Sequence, residues 1–166
     1  MEEVMRMAEG ILPISQAAEV GLVINDFPEV ARQIGGPACH LGQEDFFDAG
    51  YETASQVIGA SGHMMLGLST HTPAQAERAM KAAPDYIAIG PIYATGTKPT
   101  AKPVTLEYVR WAAAHVSIPW FAIGGINLET LDNVLAAGAT RICVVSAILK
   151  APDIAKACQE FRKRLP

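Results

Sequence analysis

Two carboxylates, a lysine and several hydroxyls carry the chemistry this sequence can offer. Asp26 follows the apolar run Gly21 to Ile24, and Asp45 follows the apolar run Ala38 to Leu41. Each stands where a strand would end, and carboxylates at the ends of adjacent parallel strands lie about 5 Å apart at the backbone. Such a pair can share one hard cation that keeps water and takes its remaining ligands from a phosphate. The run Ile87 to Pro99, IAIGPIYATGTKP, opens at Gly90 into a loop where Thr95, Gly96 and Thr97 put hydroxyls and a bare backbone beside the ammonium of Lys98. Hydroxyls and exposed N–H groups donate to phosphate oxygens, and the lysine adds a point charge. Ser69 closes another apolar run together with Thr70 and His71. No carboxylate lies near in sequence to orient His71, so Ser69 reads as a hydroxyl donor to a ligand and not as a triad nucleophile. Gly124 and Gly125 turn into Asn127, and Val145-Ser146 turn into Ala147, each presenting a helix N-terminus whose unpaired donors suit an anion. His40, inside CHLG, reads as a packed core histidine, and His63 and His115 as surface or helix-end residues.

The elements that must position these groups are legible as apolar runs and caps. Strands are expected at Gly21–Ile24, Ala38–Leu41, Met64–Leu68, Asp85–Ile89, Pro119–Ile123 and Arg141–Val145, with Gly42 to Asp45 as a polar loop. Helices are expected over Met1–Ala18, bent or divided at Pro13, and over Pro28–Ile34, Tyr51–Ala60, Thr105–His115 and Pro152 to about Arg164. Thr72, Pro73 and Gln75 mark a capping box, and Asn127 caps a helix that Gly138 ends. Short continuous apolar strands alternating with helices mean a parallel sheet covered on both faces. That leaves a doubly wound sheet or a barrel. A doubly wound sheet gathers its ligands at one switch point, whereas polar clusters after all the strands suit a ring closing on one centre. The expected fold is therefore α/β, a TIM-type (β/α) barrel that is incomplete, with six of eight strand-helix units.

Composition bounds the rest. A chain of 166 residues, half of them apolar and 18% charged, makes one globular domain. A net charge of −4 provides no basic stripe for nucleic acid. No run approaches a membrane span, and MEEVMRMAEG lacks the basic start of a signal peptide. Cys39, Cys143 and Cys158 are odd in number and two lie inside apolar runs, which points to a reducing cytoplasm.

NDFPEVA, HLGQED, LGLSTHT, DYIAIGPIYATGTKP, IGGIN and VVSAI occur in that order and span nearly the whole chain. Together they resemble the thiamine phosphate synthase family, also called thiamine-phosphate pyrophosphorylase, with HLGQED and the T-x-T-K loop as its most specific pieces. The resemblance implies a Mg²⁺-dependent transferase that couples hydroxymethylpyrimidine diphosphate to a thiazole phosphate, giving thiamine phosphate and pyrophosphate. It implies Asp26 and Asp45 as Mg²⁺ ligands, and Asn25, Ser69 and Lys98 as contacts to the pyrimidine diphosphate. Lys98 and Ser69 are the catalytic candidates. Thr95, Gly96, Thr97, Gly125, Val145 and Ser146 are implied to hold the thiazole phosphate. The family pattern opens with a strand-helix-strand carrying Q-x-R-x-K, which is not found here. The expectation is thus a single N-terminally truncated domain over residues 1–166, whose two open sheet edges call for cover by a second copy or a partner chain. The alternative is a non-catalytic thiazole phosphate-binding paralogue or a thiazole tautomerase-like protein; the presence of both metal carboxylates favours the synthase.

Overall fold

The computed structural model describes residues 1–59, 64–96 and 102–166. In chain order the elements begin α1 (Glu2–Ala17), β1 (Val23–Asn25), α2 (Pro28–Gln33), β2 (Ala38–Gly42), α3 (Gln43–Asp48), α4 (Ala54–Ile58) and β3 (Met65–Thr70). They continue α5 (Pro73–Lys81), β4 (Tyr86–Ile89), α6 (Thr105–His115), β5 (Trp120–Ile123), α7 (Leu131–Ala136), β6 (Ile142–Cys143), α8 (Ser146–Leu149) and α9 (Ile154–Arg164). They fall into two compact units, one of residues 1–69 and 78–86, the other of residues 70–77 and 87–166.

In the first unit β1 pairs with β2 and β2 with β3, all parallel. The register sets Asn25 beside His40, His40 beside Gly67, and Gly42 beside Ser69. Ile24, Cys39, Leu41, Leu66 and Leu68 on these strands are buried, as are Val30 and Ala31 of α2, Phe46 of α3 and Val57 of α4. Thr53 and Gln56 form a reciprocal capping box that starts α4, three residues later than the apolar spacing suggests. Gly42 to Asp45, expected as a loop, is instead the start of a helix. Gly42 is its N-cap, and Glu44 and Asp45 in its first turn favour the positive end of the helix dipole. Pro13 sits inside α1 without dividing it. Asp85 Oδ2 accepts the backbone N–H of Leu66 at 2.7 Å while its own N–H donates to the Leu66 carbonyl at 2.9 Å, fixing the residue before β4 against β3.

In the second unit β4 pairs with β5 and β5 with β6, again parallel. The register aligns Ile89 with Ala122 and Ile123 with Cys143. Arg164 Nη1 donates to the Leu128 carbonyl at 2.6 Å, holding the end of α9 to the turn before α7. α5 starts as its sequence implies: Thr72 Oγ1 accepts the Gln75 N–H at 3.2 Å, and Gln75 Oε1 accepts the His71 N–H at 2.6 Å. In neither unit does the strand order reverse, as a doubly wound sheet requires at its switch point. Among the described residues no helix is long and apolar enough to cross a membrane.

Candidate active-site residues of the two units

The first unit gathers Asn25, Asp26, Asp45 and Ser69 at the carboxyl ends of its parallel strands. The Asp26 N–H donates to the His40 carbonyl at 2.9 Å, extending the β1–β2 ladder by one residue. There the backbone turns left-handed, with φ 65° at Asp26, a conformation that aspartate tolerates better than most side chains. Asn25 Nδ2 donates to Asp26 Oδ2 at 2.6 Å, so the amide orients the carboxylate. Asp45 lies in the first turn of α3, and its carboxylate folds back over Gly42, where an added Cβ would stand 2.6 Å from Oδ2. Both carboxylates are exposed, Asp26 directly after β1 and Asp45 in the first turn of the helix after β2. The negative charge of Asp26 acts inward as well: burial first, then Asp26 and Glu29, push the Cys39 thiol up to about 11.

Ser69 lies inside β3, half-buried, and its partner is not His71. His40 Nε2 lies 2.8 Å from Ser69 Oγ, and His40 Nδ1 lies 3.1 Å from Tyr86 Oη. The His40 and Tyr86 rings stack with centroids 5.5 Å apart and planes at 27°. His40 is therefore not a packed core histidine; it is half-buried and carries polar contacts on both ring nitrogens. Sequence reasoning missed Tyr86 entirely. The available signal was Gly67, a glycine inside an apolar strand, which marks a close approach by something else. Gln43 of HLGQED is 4% exposed, and its Oε1 is buried with no hydrogen-bond partner among the described residues.

The second unit brings together the turn after β5 and the start of the loop after β4. The Ile92 N–H donates to the Ile123 carbonyl at 2.9 Å, and the Tyr93 N–H to the Gly124 carbonyl at 3.0 Å. Gly125 has φ 66°, and a Cβ there would meet the Ala94 carbonyl oxygen and Tyr93 Cβ at 2.7 Å each. Glycine is thus required on both conformational and steric grounds. Thr95 and Gly96 follow Ala94 directly in the chain; Thr97 and Lys98 lie outside the described residues. Val145 and Ser146 follow β6, exposed, with Ser146 opening the four-residue α8. Asn127 Oδ1 accepts the N–H groups of Glu129 and Thr130 at 2.9 Å each, capping a turn before α7 begins at Leu131. His71 Nδ1 lies 2.5 Å from the Gly90 carbonyl, so it must be the protonated nitrogen, and His71 serves the β4 exit and not Ser69. Thr70 Oγ1 donates to the Ala88 carbonyl at 2.9 Å and meets Tyr108 Oη at 2.7 Å. Burial pushes the Tyr108 hydroxyl up to about 12, against the lowering effect of the Thr70 contact. His115 ends α6 exposed and stacked on Trp111, as its helix-end position implies.

Parallel strands in unreversed order, with polar side chains and glycine turns at their carboxyl ends, fit the TIM-type α/β class. The family model of thiamine monophosphate synthase matches residues 1–148. The thiamine-phosphate synthase of Thermus thermophilus is 43% identical over 162 residues, which is 97% of this chain and 75% of the relative. That of Halalkalibacterium halodurans is 38% identical over 160 residues, 96% of this chain and 74% of the relative. The solved thiamine phosphate pyrophosphorylase from Pyrococcus furiosus superposes with a TM-score of 0.85 at 29% identity, covering 98% of this chain and 75% of that one. The chain belongs to the thiamine monophosphate synthase family and is, like these relatives, a transferase with thiamine-phosphate synthase function.

Proposed function

We propose that this chain joins hydroxymethylpyrimidine diphosphate to a thiazole phosphate in the cytoplasm, releasing thiamine phosphate and pyrophosphate, with Mg²⁺ as cofactor. The observation that carries the reading is the gathering of Asn25, Asp26, Asp45 and Ser69 at the strand ends of the first unit. In it, Asp26 and Asp45 hold Mg²⁺, while Asn25, Ser69 and Lys98 contact the diphosphate. The donor set fits the ion. Both carboxylates are exposed oxygen donors. Mg²⁺ is commonly held by one or two carboxylates and completes its shell with water and substrate phosphates. When bound, it offsets charge on the departing pyrophosphate. Thr95, Gly96, Thr97, Gly125, Val145 and Ser146 hold the thiazole phosphate.

The chemistry needs no general base. The bond from the pyrimidine methylene to the diphosphate oxygen breaks with its electron pair leaving on oxygen, and the pyrimidine ring stabilises the cation left behind. The thiazole nitrogen then supplies its lone pair to form the new carbon–nitrogen bond. What remains for the protein is to stabilise the leaving group and align the nucleophile. Losing one well-placed donor in such a site costs about 10²–10³ in rate. Purified chain with Mg²⁺ and both substrates is expected to release pyrophosphate and form a product of the mass of thiamine phosphate, and Lys98→Ala or chelation of the metal to abolish both. Binding of thiazole phosphate without Mg²⁺ dependence and without turnover overturns the reading.

A further inference from the structure

We propose that His40 and Tyr86 are positioning residues that fix the direction of the Ser69 hydroxyl, so that Ser69 donates its hydrogen bond to the anionic leaving group. The proposal rests on the assignment of Ser69 to the diphosphate made above. Diphosphate oxygens are acceptors only, and a serine hydroxyl has a single proton to give. Ser69 Oγ is already 2.8 Å from His40 Nε2, so the imidazole tautomer decides where that proton goes. If Nε2 is unprotonated, Ser69 donates to it and faces the ligand with lone pairs alone. If Nε2 carries hydrogen, it donates to Ser69 Oγ and leaves the serine proton free for the diphosphate.

The other ring nitrogen makes the choice. His40 Nδ1 is 3.1 Å from Tyr86 Oη, and a phenol is a far stronger acid than the N–H of a neutral imidazole. Tyr86 therefore donates into Nδ1, which places the imidazole hydrogen on Nε2. The chain of donors runs from Tyr86 to His40, from His40 to Ser69, and from Ser69 to the ligand, each bond polarising the next. The fold builds room for this. Gly67 is the register partner of His40, and a Cβ on it would lie 2.1 Å from Tyr86 Cζ and 2.5 Å from Tyr86 Oη. The Tyr86 ring occupies the space a side chain would fill, stacked on His40 with its hydroxyl at Nδ1. Ser69 remains half-buried, open enough to meet a ligand.

The test combines kinetics with a direct view of the tautomer. Pyrophosphate release at saturating substrates is measured for Ser69→Ala, Tyr86→Phe and the double variant, and for His40→Gln and His40→Leu. Ser69→Ala is expected to lower kcat by about 10²–10³ and Tyr86→Phe by about tenfold. The double variant should be no slower than Ser69→Ala, because Tyr86 acts only through Ser69. His40→Gln, whose amide can still donate to Ser69, should retain several-fold more activity than His40→Leu. Imidazole ¹⁵N shifts should show Nε2 protonated in the unmodified chain and the preference lost in Tyr86→Phe. The proposal is overturned if Nδ1 carries the hydrogen in the unmodified chain, if the Tyr86→Phe and Ser69→Ala losses multiply, or if Gln and Leu at position 40 are equivalent. If Ser69→Ala turns over at the unmodified rate, the assignment of Ser69 to the diphosphate fails as well. A slow Ser69→Ala with independent Tyr86→Phe defeats this proposal alone.

Discussion

Replacing Gly67 by alanine adds one methyl group, and the structure says where it must go. The ideal Cβ lies 2.1 Å from Tyr86 Cζ and 2.5 Å from both Cε2 and Oη, far inside van der Waals contact. Gly67 is buried in β3 between β2 and the Tyr86 ring, so the backbone has little freedom to retreat and the ring must move. Overpacking of this kind costs about 1–3 kcal/mol, and losing the Tyr86–His40 hydrogen bond adds about 1 kcal/mol. A total of about 2–4 kcal/mol corresponds to a fall in Tm of roughly 5–15 °C for a domain of this size. Urea unfolding followed by circular dichroism gives the first quantity and calorimetry the second. The cause is tested by removing the ring: Gly67→Ala in a Tyr86→Ala background should cost much less than in the unmodified chain, a coupling that distant sites do not show. An unchanged midpoint for Gly67→Ala, or equal costs in both backgrounds, refutes the steric argument.

Gly42→Ala is expected to behave in the opposite way. Its Cβ would meet the free end of the Asp45 side chain at 2.6 Å, which can swing aside. Stability should change by less than about 1 kcal/mol while the Mg²⁺ concentration for half-maximal pyrophosphate release rises several-fold, read by urea unfolding and metal titration. The Tyr108 hydroxyl, pushed up to about 12 in the folded chain from an ordinary value of 10.0, makes a signed prediction about pH. The folded state holds that proton more tightly than the unfolded state, so the associated stability is complete below pH 10 and is lost as pH rises from 10 to 12. The stability difference between the unmodified chain and Tyr108→Phe should narrow across that window in urea titrations. A difference independent of pH contradicts the burial argument.

The parts legible in the sequence were those set by local chemistry. Runs such as LGL and IAI become strands because they are buried on both faces, and Thr72-Pro73 with Gln75 starts a helix because the capping contacts lie within four residues. The position of Asp26 was legible for the same reason, since a parallel strand delivers the residue after it to the carboxyl end of the sheet. Gln43 to Asp48 was misread because its first turn is polar and its only fully buried apolar side chain is Phe46, too weak a period to announce a helix. The Ser69 environment was not legible at all. His40 and Tyr86 lie 29 and 17 residues from Ser69 along the chain, and they meet only through the strand register and the gap at Gly67. His71 was the nearer histidine in sequence, but it lies beyond the end of β3 and the Gly90 carbonyl claims its Nδ1.

Several glycine positions share a physical logic in which geometry is set by where side chains are missing. Gly42 admits the Asp45 carboxylate, Gly67 admits the Tyr86 ring, and Gly125 admits the Ala94 carbonyl and Tyr93. The three are not equivalent. At Gly125 a positive φ and a backbone obstacle act together, so any substitution is strained even after neighbours relax. At Gly67 the obstacle is a half-buried ring held by stacking and a hydrogen bond, so the site yields only by losing Tyr86 from His40. At Gly42 the obstacle is the mobile end of an exposed carboxylate, so the fold survives and only the carboxylate position changes. A glycine in this chain therefore reports to the degree that its neighbour can move: where the neighbour is rigid, substitution reads out as stability, and at Gly42, on the Mg²⁺ assignment proposed for Asp45, it reads out as metal affinity.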